Sequence, residues 1–452
     1  MEKFLNKLTA RLAAWFPKPA AVIVMARQDY AYLEQRAQML YHWPVSVKVL
    51  LENYLLYSTI ASLFMQVFLF RKGVDIFAGY PIIIVNTAIL LALNRLLIHR
   101  NHALFAMAVV LVSLVAARRS GTSAAAIVQQ IAGALVFSTY YLSMLTTYGL
   151  SVPRWMNLYT KGALFVASVS IVEYLARTLH AIPQLNDNRL HWPYPEPSFY
   201  VYMTLPAIGT YLTAHLREGG GYRLELGIFL VSYIFAQSSL GFLGLFLVGF
   251  FVILLRRITL LRFFAFTIAA GGLLTAVFFL SPNFRLRVTD TFIGLVTGEL
   301  QHVNASTFAV LANGYVAFST FFKHPLIGIG LGGYQAIYQQ YLPGLNNDDP
   351  TIGALNSADA SSLFFRTAAE MGSFGLIALI GFLVVCFRVK GDVHVAIRNA
   401  IMPYFLIRMG RFGAYFSLEL YFFVGIYLLN YLHYRATLKS RPPPALETRH
   451  AV

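Results

Sequence analysis

The sequence is dominated by long apolar runs, and this train of runs stops at Leu280 and resumes only at Ser361. Of the 452 residues, 58% are apolar and 12% are charged, whereas a soluble domain carries about 25% charged residues. A run of about 20 apolar residues crosses the hydrocarbon of a bilayer as an α-helix, because the helix satisfies its own backbone hydrogen bonds. The sequence therefore predicts an all-α polytopic membrane protein, and the interruption marks the segment expected to carry chemistry.

The apolar runs divide the chain into five regions. Twelve runs predict about twelve transmembrane helices, near 50–70, 79–98, 103–117, 124–147, 162–181, 199–216, 224–238, 239–255, 259–280, 361–387, 394–408 and 412–433. The regions are a basic amphipathic N-terminus (1–48), helices one to nine (49–280), a large helical loop (281–360), helices ten to twelve (361–433) and a basic tail (434–452).

The basic residues set the expected orientation. The formal net charge of +16 at pH 7 would suggest a nucleic-acid partner in a soluble protein. In a membrane protein, Lys and Arg collect at the cytoplasmic ends of helices, and most of the 35 basic residues fall on the side of the two termini. We therefore expect cytoplasmic termini, the loop 281–360 on the opposite face, membrane lipids as neighbours and no nucleic-acid partner.

Two arginine pairs lie on the predicted outer face, where topology provides no reason for cations. Arg285 and Arg287 follow the ninth run, and Arg408 and Arg411 lie in the short turn between the last two runs. Charged side chains at this depth are costly unless an anionic group pairs with them. The sequence therefore predicts an anionic partner at this face, with Arg189 as a further basic residue on the same side.

A proline-rich stretch precedes the sixth run, with the sequence His-Trp-Pro-Tyr-Pro-Glu-Pro-Ser-Phe-Tyr at 191–200. Its three prolines restrict the backbone to an extended approach that presents Glu196 at the membrane surface. Glu196 is a candidate general base or a ligand for hydroxyl groups, and the alternative is a structural hydrogen bond. Trp192 and Tyr194 are candidate stacking platforms, although aromatic residues of membrane proteins also form interfacial belts.

A glycine-rich segment, His-Pro-Leu-Ile-Gly-Ile-Gly-Leu-Gly-Gly-Tyr, runs from His324 to Tyr334. It lacks the Gly-Lys-Ser/Thr ending of a P-loop and the preceding strand of a dinucleotide site. Its glycines favour close backbone packing, or backbone N–H groups aimed at an anion. His324 is a second candidate base with a structural alternative, and Tyr334 is a third candidate stacking platform. Downstream, Glu370 is expected to pair with Arg366 one helical turn earlier.

The sequence predicts neither a metal site nor a cofactor. The 11 histidines are scattered along the chain, and Cys386 is the single cysteine. A cysteine-based metal cluster and an intramolecular disulfide are therefore excluded.

Four motifs, in their order along the chain, resemble the superfamily of O-antigen polymerases (Wzy type) and O-antigen ligases. They are Glu-Pro-Ser-Phe at 196–199, Gln-Ser-Ser-Leu-Gly-Phe-Leu-Gly at 237–244, the glycine-rich segment at 324–334 and Ala-Glu-Met-Gly-Ser-Phe-Gly at 369–375. The resemblance covers residues 160–430 and implies a GT-C-like helical fold in the bacterial inner membrane. It also implies metal-independent glycosyl transfer at the periplasmic face from an undecaprenyl-diphosphate-linked oligosaccharide.

The resemblance suggests roles for the candidate residues. Guanidinium groups stay charged and bind phosphate oxygens in pairs, so the two outer arginine pairs are expected to contact the diphosphate. Glu196 or His324 would accept the proton of the acceptor hydroxyl. Arg189 would assist binding, and the three aromatic candidates would stack on sugars.

Three functions stay open at this point. Ligases of the superfamily carry a histidine shortly before the Glu-x-Gly element, and no histidine lies between His324 and His394 here. This departure favours the polymerase branch, in which donor and acceptor are both lipid-linked repeat units and a chain-length-regulating copolymerase is an expected partner. The alternatives are a ligase that transfers glycan to lipid A core, and a polysaccharide transporter or flippase.

Overall fold

A computed structural model describes residues 45–66, 68–70, 76–97, 100–147, 151–180, 189–217, 221–254, 282–297, 303–345, 355–415 and 417–439, with isolated positions between 255 and 281. The predicted ninth run, most of the N-terminal region and the basic tail lie outside the described residues. The described fold is helical apart from one short antiparallel ribbon, formed by β1 (Phe68–Phe70) and β2 (Ile76–Phe77).

Fourteen helices are described. They are α1 (Val45–Phe64), α2 (Gly79–Ala92), α3 (Arg100–Ser120), α4 (Ala124–Thr147), α5 (Val152–Thr178), α6 (Pro197–Arg217), α7 (Arg223–Ala236), α8 (Ser239–Leu254), α9 (Pro282–Thr297), α10 (Ala305–Lys323), α11 (Tyr334–Tyr341), α12 (Leu363–Phe387), α13 (Asp392–Gly410) and α14 (Leu418–Lys439). A short 3-10 helix, Leu342–Gly344, follows α11.

The apolar runs predict most of these helices closely, and α4 has the predicted bounds. Other bounds differ by several residues, and two of the differences have a local explanation. Helix α5 begins ten residues before the predicted run at 162, because Pro153 occupies its first turn, where a missing N–H costs nothing. Helix α14 begins at Leu418 rather than 412, because the described residues between α13 and α14, 411–415 and 417, are not helical and form the turn after α13.

Three of the described helices, α5, α10 and α12, are long and apolar enough to cross a membrane. Helix α10 lies inside the segment that the sequence assigns to a loop, so this segment contains an apolar helix of span length. Within the described parts of 281–360, the predicted helical character is confirmed by α9, α10 and α11.

Helix α6 is the centre of the bundle and packs against α5, α7, α8 and α13. Two contacts show that helices α6 and α13 run antiparallel. Gly209 lies against Ala400 near the middle of both helices. Arg217, at the end of α6, lies 3.7 Å from Asp392, at the start of α13. A Cβ on Gly209 would fall 2.8 Å from the Cα of Ala400. The start of α6 therefore lies beside the end of α13, which is followed in the chain by the start of α14. Ser362, at the start of α12, donates a hydrogen bond to the Met409 carbonyl near the end of α13. We call this end of the bundle the cluster end.

The glycine-rich segment docks on a kink in α12. At the kink, Gly372 has a φ of 60° and a ψ of −151°. Ile329 N–H donates to the Ala369 carbonyl at 3.0 Å, and Ser373 N–H donates to the Pro325 carbonyl at 2.7 Å. A Cβ on Gly328 would lie 2.5 Å from the Ala369 carbonyl oxygen. Close backbone approach, one of the two roles predicted for these glycines, is confirmed.

We expect Gly372→Ala to lower the melting temperature of the purified protein in detergent. Its backbone conformation is essentially restricted to glycine, at a cost of about 1–3 kcal/mol for other residues, and the new Cβ would meet the Leu326 carbonyl carbon at 2.7 Å. The matched control is Gly381→Ala in the same helix, where a Cβ meets no atom within 4 Å. The control should melt at or above the wild-type temperature; equal melting of the two variants would contradict the docking.

Candidate functional site

A buried ion pair between Arg408 and Glu419 holds the cluster end together. The Arg408 Nη1 to Glu419 Oε1 distance is 2.7 Å, and the two side chains are 1% and 0% exposed. Tyr202 Oη donates to Glu419 Oε1 at 2.7 Å, and Gln66 Nε2 donates to Glu419 Oε2 at 3.0 Å. Glu419 lies on α14, and its three partners lie on α13, on α6 and after α1. Because a buried carboxylate is tolerated only when paired and hydrogen-bonded, Glu419 fixes the relative positions of these four segments.

Arg408 also shapes the turn that connects α13 to α14. Its Nη2 donates to the Ala414 carbonyl and to Ser417 Oγ. The turn is thereby tied back to the helix from which it emerges.

A cavity of about 70 Å³ lies beside this pair. Its lining combines polar and charged side chains with aromatic rings and apolar side chains. The lining residues are Gln66, Phe77, Tyr80, Phe199, Tyr202, Asp359, Arg408, Phe412, Ala414, Ser417, Leu418 and Glu419. A single water needs roughly 10–15 Å³ of cavity volume. The cavity therefore has room for several waters or for one small polar group of a larger ligand.

A second buried ion pair, between Arg366 and Glu370, lies in the first turns of α12. The Nε to Oε2 distance is 3.3 Å and the side chains are 4% and 0% exposed, which confirms the predicted pairing at one helical turn. Glu370 Oε1 also accepts hydrogen bonds from the N–H groups of Gly332 and Tyr334, at 3.0 and 3.2 Å. The N–H groups predicted to face an anion therefore meet a carboxylate of the same chain.

Arg366 connects this second pair to the turn after α13. Its Nη1 donates to the Gly413 carbonyl at 3.3 Å, and its guanidinium lies 4.4 Å from the centre of the Tyr415 ring. The turn after α13 is thus held by hydrogen bonds from both Arg408 and Arg366.

Asp359 reaches the cavity from the turn that precedes α12. The side chain is half-buried, and its Oδ1 accepts a hydrogen bond from the Ser361 N–H at 3.0 Å. Burial raises the pKa of Asp359 above the ordinary value, although the Ser361 N–H and the charges of Arg366, Arg411 and Arg408 oppose that rise. Three arginines and three carboxylates, Asp359, Glu370 and Glu419, therefore share the cluster end.

Two guanidinium donors of this group are unused. Arg411 Nη1 and Arg408 Nε are both buried and find no hydrogen-bond partner among the described residues. Arg408 is already paired with Glu419, whereas the charge of Arg411 acts on the Asp359 carboxylate. A buried guanidinium N–H without an acceptor is costly, and an anionic ligand would remove that cost.

The structure separates the two predicted arginine pairs. Arg408 and Arg411 lie at the cluster end, but the charge of Arg408 is already neutralised by Glu419, so it differs from the free cation expected. Arg285 is exposed on α9 and is not among the residues that line the cavity. Arg287 lies on the same helix, and its side chain lies outside the described part of the structure.

Of the proline-rich stretch, Phe199 lines the cavity, whereas the candidates Glu196, Trp192 and Tyr194 do not. Glu196 Oε1 accepts a hydrogen bond from Ser198 Oγ at 2.5 Å, which is the structural alternative noted for this residue. Trp192 is 39% exposed, whereas Tyr194 is buried, with its ring centre 6.1 Å from that of Tyr200. The Arg189 carbonyl accepts a hydrogen bond from Arg177. The stretch leads into α6, where Phe199 and Tyr202 line the cavity.

Tyr334 and His324 lie at the two ends of the glycine-rich segment. Tyr334 is 0% exposed, and its hydroxyl donates to Asn313 Oδ1 at 2.9 Å, so no ring face is open for stacking on a sugar. His324 caps the end of α10, and its carbonyl accepts the Gly328 N–H at 3.1 Å. Both residues position the glycine-rich segment in this structure.

Sequence reasoning missed Glu419, Gln66 and Asp359 as members of the site. Glu419 was detectable, because a carboxylate inside an apolar run requires a cation, and Arg408 and Arg411 lie just upstream. Gln66 carried no such signal, since its contact with Glu419 joins segments 353 residues apart. Among the described residues, no group of three or more His, Cys, Asp or Glu side chains is placed to hold a metal ion.

Comparison with known proteins does not assign the chain to a family: no family model matches the sequence, and no curated protein matches it.

Removing Glu419 should destabilise the protein strongly. We expect Glu419→Ala to cost about 3–5 kcal/mol of stability, because it leaves the buried Arg408 charge without its partner. The matched control is Glu52→Ala, which breaks the Arg95–Glu52 pair, 3.1 Å long and 19% and 33% exposed; about 0–1 kcal/mol is expected there. Thermal unfolding in detergent would compare them, and equal losses would contradict the role of Glu419.

Proposed function

We propose that this protein is a polysaccharide polymerase of the bacterial inner membrane. In this proposal it transfers a glycan from undecaprenyl diphosphate onto a lipid-linked repeat unit, at the periplasmic face. The supporting observation is that Arg411 has a buried N–H without a partner and directly precedes Phe412, which lines a cavity of mixed polar and aromatic character. The resemblance of the four sequence motifs to O-antigen polymerases points to the same chemistry.

The arginines suit a diphosphate leaving group. When the bond between the anomeric carbon and the diphosphate breaks, negative charge develops on a phosphate oxygen, and a fixed cation nearby lowers the barrier. Arg411 is the best candidate for this contact, because its guanidinium stays charged and has a free donor. Arg408 supports it indirectly, by holding the turn through Ala414 and Ser417.

The aromatic side chains of the lining suit the sugar next to the bond that breaks. Phe77, Tyr80 and Phe199 are half-buried and line the cavity, so each contributes apolar surface to it. The C–H face of a sugar ring packs on such surfaces, while its hydroxyl groups require the polar side chains of the lining. At about 70 Å³, the cavity accommodates only the reacting groups, and the remaining glycan and its lipid would extend outside it.

The proposed reaction draws its energy from the lipid diphosphate. A diphosphate is a good leaving group, so the protein's tasks are alignment, charge stabilisation and removal of one proton. A copolymerase that sets chain length is the proposed protein partner, and the second substrate is a lipid-linked repeat unit.

An assay with purified protein and a synthetic undecaprenyl-diphosphate repeat unit would test the proposal. We expect a ladder of products on a gel, in the absence of ATP. Transfer that requires added lipid A core would identify a ligase instead, and no transfer to any acceptor would overturn a glycosyltransferase function.

We expect Arg411→Ala to lower the polymerisation rate about 100- to 1,000-fold, the usual loss when one donor to a developing charge is removed. Arg411→Lys should recover part of the rate, since it keeps a cation but loses the planar fork. Arg435→Ala is the control; it removes an exposed arginine near the far end of α14 and should keep the wild-type rate. Equal rates for all three variants would exclude the proposed role of Arg411.

A further inference from the structure

Asp359 differs from the other two carboxylates of the cluster end. Glu419 accepts from Arg408, Tyr202 and Gln66, and its charge is fully engaged. Asp359 lines the same cavity, but among the described residues its carboxylate accepts a single hydrogen bond, from the Ser361 N–H to Oδ1, and it forms no ion pair. Its Oδ2 therefore has the capacity to accept a hydrogen bond or a proton.

The backbone around Asp359 is held in an unfavourable conformation. Ala360 and Ser361, which are not glycines, have φ values of 59° and 56°, and such residues cost about 1–3 kcal/mol each when they are retained. Asn313 Nδ2 donates to Ser361 Oγ at 3.2 Å, and Ser362 Oγ donates to the Met409 carbonyl. These bonds fix the strained turn against α10 and α13, and they set where Asp359 points.

Gly413 allows this turn to approach the turn after α13. A Cβ on Gly413 would lie 1.6 Å from the Asp359 carbonyl oxygen, so no other residue fits without moving one of the two turns. The contact places Asp359 next to the segment that carries Arg411.

The electrostatic surroundings suit a base. Arg366 from α12, Arg408 from α13 and Arg411 from the following turn act on Asp359, and Tyr334 lies within its field. Glu419 lines the same cavity. Burial raises the pKa of Asp359, which makes its carboxylate a stronger base than an exposed one, and the three cations limit that rise.

We propose that Asp359 is the general base that takes the proton from the acceptor hydroxyl. This inference rests on the proposed function. The acceptor O–H bond breaks and its proton passes to Asp359, while the acceptor oxygen bonds to the anomeric carbon of the donor. The bond from that carbon to the diphosphate oxygen breaks, and its electron pair leaves with the diphosphate beside Arg411.

Asp359→Asn tests the assignment in the full-length protein with the synthetic lipid-linked repeat unit. The amide keeps the size of the side chain and the acceptor for the Ser361 N–H, but it cannot take a proton. We expect kcat to fall about 100- to 10,000-fold, the range for loss of a general base, with KM and the melting temperature close to wild type. Asp290→Asn is the control, because Asp290 does not line the cavity; it should retain full activity.

The pH profile separates a base from a structural residue. Only the carboxylate form accepts a proton, so wild-type kcat should fall as the pH drops through the pKa of Asp359, which lies above the ordinary value of about 3.9. This acid limb should be absent from the residual activity of Asp359→Asn and displaced in Asp359→Glu.

The outcomes separate the two proposals. An active wild type, together with an Asp359→Asn variant of equal kcat or an unchanged acid limb, overturns the assignment and leaves the polymerase proposal standing. A wild type that transfers no glycan from the lipid-linked donor overturns both.

Discussion

The site depends on one buried ion pair, Arg408–Glu419. Glu419 is 0% exposed and accepts three hydrogen bonds, from Arg408 of α13, from Tyr202 of α6 and from Gln66, which follows α1. A carboxylate in this position is stable only with all its partners in place, since an unpaired buried charge costs several kcal/mol. The pair therefore fixes the relative positions of α6, α13, α14 and the residues after α1. The cavity lies where these four segments meet.

The second pair, Arg366–Glu370, extends this control to the glycine-rich segment. Glu370 receives the N–H groups of Gly332 and Tyr334, and Arg366 holds the Gly413 carbonyl. Arg366 and Arg408 thus both donate hydrogen bonds to the turn after α13. A turn held in this way presents Arg411 with little freedom, which is the preorganisation that stabilises developing charge at low cost.

Within the cluster end, most polar capacity is used internally. Glu370 and Glu419 are saturated by their own neighbours, and so is most of Arg408. Among the charged groups of the cluster end that the structure describes, unused capacity lies at Arg411 Nη1, at Arg408 Nε and at the second carboxylate oxygen of Asp359. Arg408 is already neutralised by Glu419, so Arg411 and Asp359 are the groups available to a ligand. One is a donor suited to an anionic leaving group, and the other is an acceptor suited to a hydroxyl proton. Both proposals depend on this division between structural and available groups.

The sequence by itself determined the features that arise locally. Its apolar runs predict helices, because backbone hydrogen bonds must be satisfied without water; the i, i+4 spacing predicts the pair Arg366–Glu370; and the glycines predict close backbone contact. Only the tertiary structure decided that Gln66 joins Glu419, that Tyr334 is buried and that Asp359 reaches the cavity. Each of these outcomes depends on which distant segments meet, and helical periodicity contains no information about that choice.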